Sequence, residues 1–261
     1  MDISTAKNDD FPQILGIYSS EDHDKTGEGA TKQRVTKKIY WYARQMDEEL
    51  FELQPLNANH VPSGITKQVN LKEFSKLNPE PSYYKKITLP VLDTLRERIA
   101  RGEKYFSRGQ LTAAERQFLD ALKIDELNVR ANFGLGEVYA EKKEYLKIKQ
   151  VLGVLLGLDQ TFLEENRKRF NNLGVSLRRN GMVEEAIKYY GKALEYNDKD
   201  DHLHFNMARA YFEKGEYGKC QEHVAEALDL NPEFREAQLF RKYLENNAPS
   251  ELAEQPKGDN G

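Results

Sequence analysis

One cysteine, one tryptophan and no long apolar run set the first limits on this chain of 261 residues. The lone Cys220 leaves no partner for an intrachain disulfide, and a cysteine-built zinc site needs more than one thiolate. No apolar stretch approaches the ~20 residues a membrane-crossing helix needs. The opening residues, MDISTAKNDDFPQ, put no apolar core behind a basic start, so no secretory signal is expected and a cytoplasmic setting is. Excess basic charge is missing too, with 39 Lys and Arg against 43 Asp and Glu. Binding to nucleic-acid phosphate is driven by clustered Lys and Arg, so nucleic acid is not the expected partner. The five histidines lack HExxH spacing, and no GxSxG occurs. His202 and His204, two apart on a helix, point to different faces and cannot chelate together. KTGEGATK, residues 25–32, lacks the GxxxxGK[ST] spacing of a phosphate loop. No catalytic residue, metal site or cofactor is expected.

What the chain does have is repetition. Residues 201–234, DHLHFNMARAYFEKGEYGKCQEHVAEALDLNPEF, read as two amphipathic helices joined by a tight turn. Gly215 breaks the first helix, and Asn231-Pro232 ends the second, since proline cannot continue a helix. Ala208 is small where the helices cross, and Tyr211 packs beside it. The same pattern returns 34 residues upstream, with Gly181 in the place of Gly215 and Ala186 in that of Cys220. Cys220 is therefore expected to be a small core residue rather than a nucleophile.

Aligned on their turns, the repeats cover 95–128, 129–162, 167–200 and 201–234, with a terminal helix over 235–247. The first carries Gly102, Tyr105, Gly109, Ala114, Phe118 and Ala121. The second has Leu135, Gly136 and Tyr139, then departs with Lys143 at its turn and an unusually apolar later half, IKQVLGVLLGL. The third has Leu173, Gly174, Leu177, Gly181, Tyr190 and Ala193. Small residues at the crossing let the two helices approach, and the turn glycines supply permissive backbone. Residues 163–166 are inserted between the second and third repeats and are expected to lengthen the following helix. Together these positions resemble the tetratricopeptide repeat family, whose unit is a helix–turn–helix of this length. The resemblance implies a mostly α protein, a right-handed helix-turn-helix solenoid over 82–247, with a small β-containing unit before it.

That earlier unit is expected over 34–81. KKIYWYARQ, LFELQPLN and ITKQVNL are short runs of strand formers separated by turn formers, which predicts an antiparallel meander. Asn70 is placed to cap a short helix, LKEFSKL. A helical pattern then runs from about Tyr83, with a kink or break at Pro90. Residues 1–33 read as a mobile tail with local order near Phe11 to Tyr18, and 248–261 as a disordered one.

The resemblance also implies function, since arrays of this family hold peptides or partner proteins along the face lined by each repeat's first helix. In the third repeat Lys168, Asn171, Asn172, Val175 and Arg178 share a stripe, and in the fourth His202, Phe205, Asn206 and Arg209 fall at equivalent places. Asn172 and Asn206 are expected to stack on adjacent helices. A side-chain amide both donates and accepts, so such a ladder holds a peptide backbone without reading its sequence. Arg178, Arg209 and Lys168 suit carboxylates, and Phe205 suits an apolar side chain. The family's clamp for chaperone tails is not expected, because Ile99, Glu103, Phe133 and Glu137 stand where it wants Lys and Asn. The expectation is a non-catalytic adaptor or scaffold that binds protein or peptide, acidic at the late repeats. Two alternatives stay open: a regulatory protein whose N-terminal unit binds a small ligand while the repeats recruit a target, and a self-assembling scaffold.

Overall fold

The computed structural model describes residues 12–26 and 33–247. The expected tail segments at 1–11 and 248–261, and most of KTGEGATK, lie outside the described residues. The chain divides into two compact units, residues 1–131 and 132–261.

The first unit opens with an antiparallel sheet of β1 (Gln13–Thr26), β2 (Gln33–Gln45), β3 (Leu50–Pro55), β4 (Lys67–Asn70) and β5 (Asn78–Pro79), in the order β4-β3-β2-β1-β5. The meander is there as β2, β3 and β4. The tail reading of residues 1–33 is corrected at 13–26, which pair with β2 from Gln13 opposite Gln45 to Thr26 opposite Gln33. A bulge between Ile14 and Gly16 hides this strand in the sequence. It resets the alternation, so that Leu15 and Tyr18 join one side of the sheet while Ile17 joins the other. Gly16 sits at φ 99°, and a Cβ there would lie 3.3 Å from the Tyr84 ring.

Each face of the sheet has its own core. Ile17, Tyr42 and Val61 pack with Leu92, Tyr83 and Tyr84. Ala43, Phe51, Leu53 and Val69 pack with Trp41, Phe74 and Leu77, and the Phe51 and Phe74 rings stack at 4.1 Å. Phe74 ends the short helix α1 (Leu71–Phe74), whose first turn is capped as expected: Glu73 N–H donates to Asn70 Oδ1 at 3.0 Å.

After the turn α2 (Pro81–Tyr83), a π-helical turn over Tyr84–Thr88 precedes α3 (Leu89–Phe106). The break expected at Pro90 is this wide turn. Proline has no N–H for the carbonyl four residues back, and the π geometry absorbs the mismatch. The first repeat closes with α4 (Leu111–Leu122). The loop after β3 then ties the sheet to it: Asn57 Nδ2 donates to the Ile124 carbonyl at 2.8 Å, Asn59 Nδ2 to that of Lys123 at 3.0 Å, and Ser63 Oγ to Asp125 Oδ1 at 2.6 Å. The two asparagine bonds satisfy carbonyls just beyond the helix end. The boundary expected between 81 and 82 is therefore not a boundary of compactness, because sheet and first repeat form one unit.

The remaining helices are α5 (Val129–Glu141), α6 (Tyr145–Leu156), α7 (Arg167–Arg179), α8 (Val183–Tyr196), α9 (Asp201–Lys214), α10 (Tyr217–Leu230) and α11 (Arg235–Asn247). The insertion does not lengthen α7. Residues 159–162 and 164–166 form two 3₁₀ turns, separated by Leu163 with ψ 151°. Phe162 explains the arrangement, since its buried ring lies 5.8 Å from Tyr189 and stacks on Tyr196 at 5.4 Å. Continuing the helix would withdraw it from that contact.

All four repeat turns close with the same backbone bond. Gln110, Glu144, Met182 and Glu216 donate N–H to Tyr105, Tyr139, Leu177 and Tyr211, at 2.9 to 3.0 Å. That six-residue bond needs a left-handed residue in between. Gly109, Gly181 and Gly215 supply it, and Lys143 adopts it at φ 58° without the freedom of glycine. Lys143→Gly is accordingly expected to stabilise the protein by about 0.5–1 kcal/mol in urea denaturation. Gly102 tests packing in the opposite direction, because a Cβ there would lie 2.6 Å from the Phe118 ring. Gly102→Ala is expected to cost about 1–3 kcal/mol by the same measurement.

Candidate functional site

The sequence-predicted residues lie on α7 and α9, the first helices of successive repeats in the second unit. Phe170, Leu173, Gly174 and Leu177 turn one side of α7 inward. Lys168 and Asn172 are thereby exposed, and Asn171 and Val175 are half-buried. On α9, Leu203, Met207, Ala208 and Ala210 are buried. Phe205, Asn206 and Arg209 stand half-buried beside them, while His202 is exposed and meets the Phe234 ring edge-on at 4.6 Å.

The expected amide ladder is shifted by one residue. Asn206 Nδ2 faces Asn171 Oδ1 at 3.4 Å, and Asn172 remains exposed. Neighbouring residues on a helix point about 100° apart, so only one of the two asparagines can face α9. Asn171 serves the joint between repeats, and Asn172 is the amide left exposed.

Arg178 is not a surface residue, being only 4% exposed. Its Nη1 is held by Glu213 near the end of α9. Among the described residues its Nε and Nη2 have no hydrogen-bond partner, and neither has the buried Tyr190 hydroxyl. Arg209 lies over the Phe205 ring, 5.9 Å from its centre. Burial, and then the nearby Arg178 guanidinium, draw Arg209 below the ordinary arginine value, while Glu213 opposes them. Arg209 thus feels two other guanidinium groups, Arg178 and Arg179, against the one carboxylate of Glu213. Sequence reasoning found Arg178 and Arg209 and missed Glu213, although its position 35 residues after Arg178 is close to one repeat.

Elsewhere the positions of the chaperone clamp are filled differently. Ile99 and Phe133 are buried, and Glu103 receives two hydrogen bonds from Arg130, at 2.7 and 2.5 Å. Cys220 is fully buried, which pushes its thiol up to about 11, far from a reactive thiolate. Among the described residues no group of three or more His, Cys, Asp and Glu side chains is placed to hold a metal ion. No described helix is long and apolar enough to cross a membrane.

Comparison with known proteins agrees with this architecture. Two family models match, one described as "Tetratricopeptide repeat" over residues 177–247 and one as "TPR repeat" over 102–143. The chain is 27% identical over 155 residues to the anaphase-promoting complex subunit CDC16 of Saccharomyces cerevisiae. That match takes in 58% of this chain but only 18% of the length of that relative. Among solved structures, pilF of Pseudomonas aeruginosa is similar at 20% identity and TM-score 0.48, over 60% of this chain and 70% of that one. MamA of Desulfovibrio magneticus is similar at 16% identity and TM-score 0.44, over 59% and 85%. The chain carries tetratricopeptide repeats over these residues.

One feature of the fourth repeat was not legible in the sequence. His204 of α9 and His223 of α10 meet with their Nδ1 atoms 3.0 Å apart, while His204 Nε2 donates to the Asp198 carbonyl at 3.0 Å. A single proton fits between the two Nδ1 atoms, and a second would set two N–H groups face to face. Burial, with His204 adding to it, pushes the His223 imidazole from 6.5 down to about 4. The unfolded chain therefore binds a proton that the native repeat refuses. Stability is expected to be fully present above about pH 6.5 and to fall as the pH drops toward about 4. Urea midpoints across that window check this, and His223→Gln should flatten the dependence.

Proposed function

We propose that the chain is a non-catalytic cytoplasmic scaffold that holds an extended peptide or a partner protein against α7 and α9. The observation that carries this reading is the polar stripe across two successive first helices: Lys168 and Asn172 exposed on α7, Asn206 and Arg209 half-buried on α9. Side-chain amides beside guanidinium groups suit a partner's backbone and its carboxylates at once. Arg178, Arg179 and Arg209 outnumber the Glu213 carboxylate here, which favours an acidic partner at the late repeats. The lone thiol is buried and poorly ionised, in keeping with a role that needs no nucleophile.

The test is affinity capture with the full chain against the triple variant Asn172→Ala, Asn206→Ala, Arg209→Ala. Circular dichroism and melting must first show that the variant keeps its helices. Partners held by the wild type are expected to drop by at least about tenfold, the size of effect that losing a few charge-assisted contacts produces. If every partner survives the triple change, the late-repeat face is not the docking site. The N-terminal unit, or self-association read by sedimentation, then takes its place.

A further inference from the structure

Helix α11 packs Ala237, Phe240 and Leu244 against the core of the fourth repeat and leaves other apolar side chains exposed. On α11 Leu239 is 59% exposed and Tyr243 49%, one turn apart on the same side. They do not stand alone. Phe240 meets Phe212 edge-on at 5.5 Å and Phe205 at 5.9 Å, and Tyr243 meets Phe212 at 5.9 Å. The half-buried rings of α9 and α11 thus form a continuous aromatic shelf that ends in exposed apolar side chains.

Charge sits within this shelf. Arg209 lies between Phe205 and Phe212 along α9, one turn after the first and just under one turn before the second. Behind it stands Arg178, buried, with two nitrogens unpartnered and one held by Glu213. Arg178, Arg179 and Arg209 against Glu213 leave an excess of positive charge, which suits a carboxylate. Aromatic surface on both sides of Arg209 along the helix means that an occupant's chain continues in both directions past its acid. A chain end, with apolar contact on one side only, would leave half the shelf bare.

We propose that α9 and α11 together receive an internal segment of a partner protein in which an aspartate or glutamate is flanked by large apolar side chains. The carboxylate meets Arg209, with the charge of Arg178 behind it, and the apolar groups cover Phe212, Phe240 and Tyr243. This rests on the reading of the late repeats as partner-binding and adds α11 to the surface.

The probes are short synthetic peptides with both ends blocked. Their centre is Glu or Gln, their flanks are Leu and Phe or Ser, and binding to the full chain is read by fluorescence polarisation. The Glu-centred, apolar-flanked peptide is expected to bind at least about tenfold more tightly than either the Gln-centred or the Ser-flanked one. Arg209→Gln should remove the preference for Glu. Tyr243→Ser, with its melting first shown to match the wild type, should remove the preference for apolar flanks. Equal binding of the Glu and Gln peptides overturns the proposal, and so does equal binding of the Leu/Phe and Ser flanks. Binding that requires a free C-terminal carboxylate overturns it as well. If partner capture depends on Asn172, Asn206 and Arg209 while Tyr243→Ser changes neither capture nor peptide binding, α11 is only a cap and the docking face on α7 and α9 stands.

Discussion

Gly102 and Gly174 stand where the two helices of a repeat come closest, and a ring from the second helix, Phe118 or Tyr190, occupies the space their side chains would need. Ala208 is the corresponding position in the fourth repeat, fully buried. The close approach fixes which side of each first helix turns inward, and with it which side is left for solvent or a partner. Asn172 is open and Arg178 closed in because Gly174 and Leu177 are committed to the crossing. Residues on the committed side hold the array together, and residues on the other side stay exposed or half-exposed.

Much of this was legible because side-chain size at a crossing and handedness at a turn leave marks on single residues. Gly109, Gly181 and Gly215 gave the turns, and even the exception at Lys143 marked a turn that keeps its left-handed backbone. The meander was legible through its β-branched and aromatic runs. Strand β1 was not, because its outer half is polar and the bulge before Gly16 spoils the alternation that marks a half-buried strand. The 3₁₀ turns over 159–166 were missed because a helical pattern in sequence carries no sign that one ring, Phe162, is needed elsewhere. The stripe on α7 was legible only as a stripe. Periodicity placed Asn171 and Asn172 on the same broad stripe, and only the position of α9 decides between them. Contacts between repeats, such as Arg178 with Glu213, or between the helices of one repeat, such as His204 with His223, depend on side-chain reach that spacing alone does not encode.

The polar groups divide into two kinds of work. At Glu103 and Arg130 the charges are matched and partly exposed, and such pairs contribute little to stability while keeping a surface neutral. Around Arg178 the match is incomplete and the burial deep. A buried guanidinium with unmet donors is costly, and natural proteins keep such groups where an interaction partner or a unique register is at stake. The first kind maintains the array, and the second marks where it differs from a generic one.

The loop that follows β3 reaches across 67 residues of sequence, from Asn57 to the Ile124 carbonyl, to close the end of α4. During synthesis the sheet leaves the ribosome well before that helix does. Its loop then has no carbonyls to bind, and one of its two apolar faces lacks Leu92. Closing the amino-terminal unit therefore waits on ties that span far more sequence than the 35 residues separating Arg178 from Glu213, and the loop entropy of such ties is lost before their contacts form.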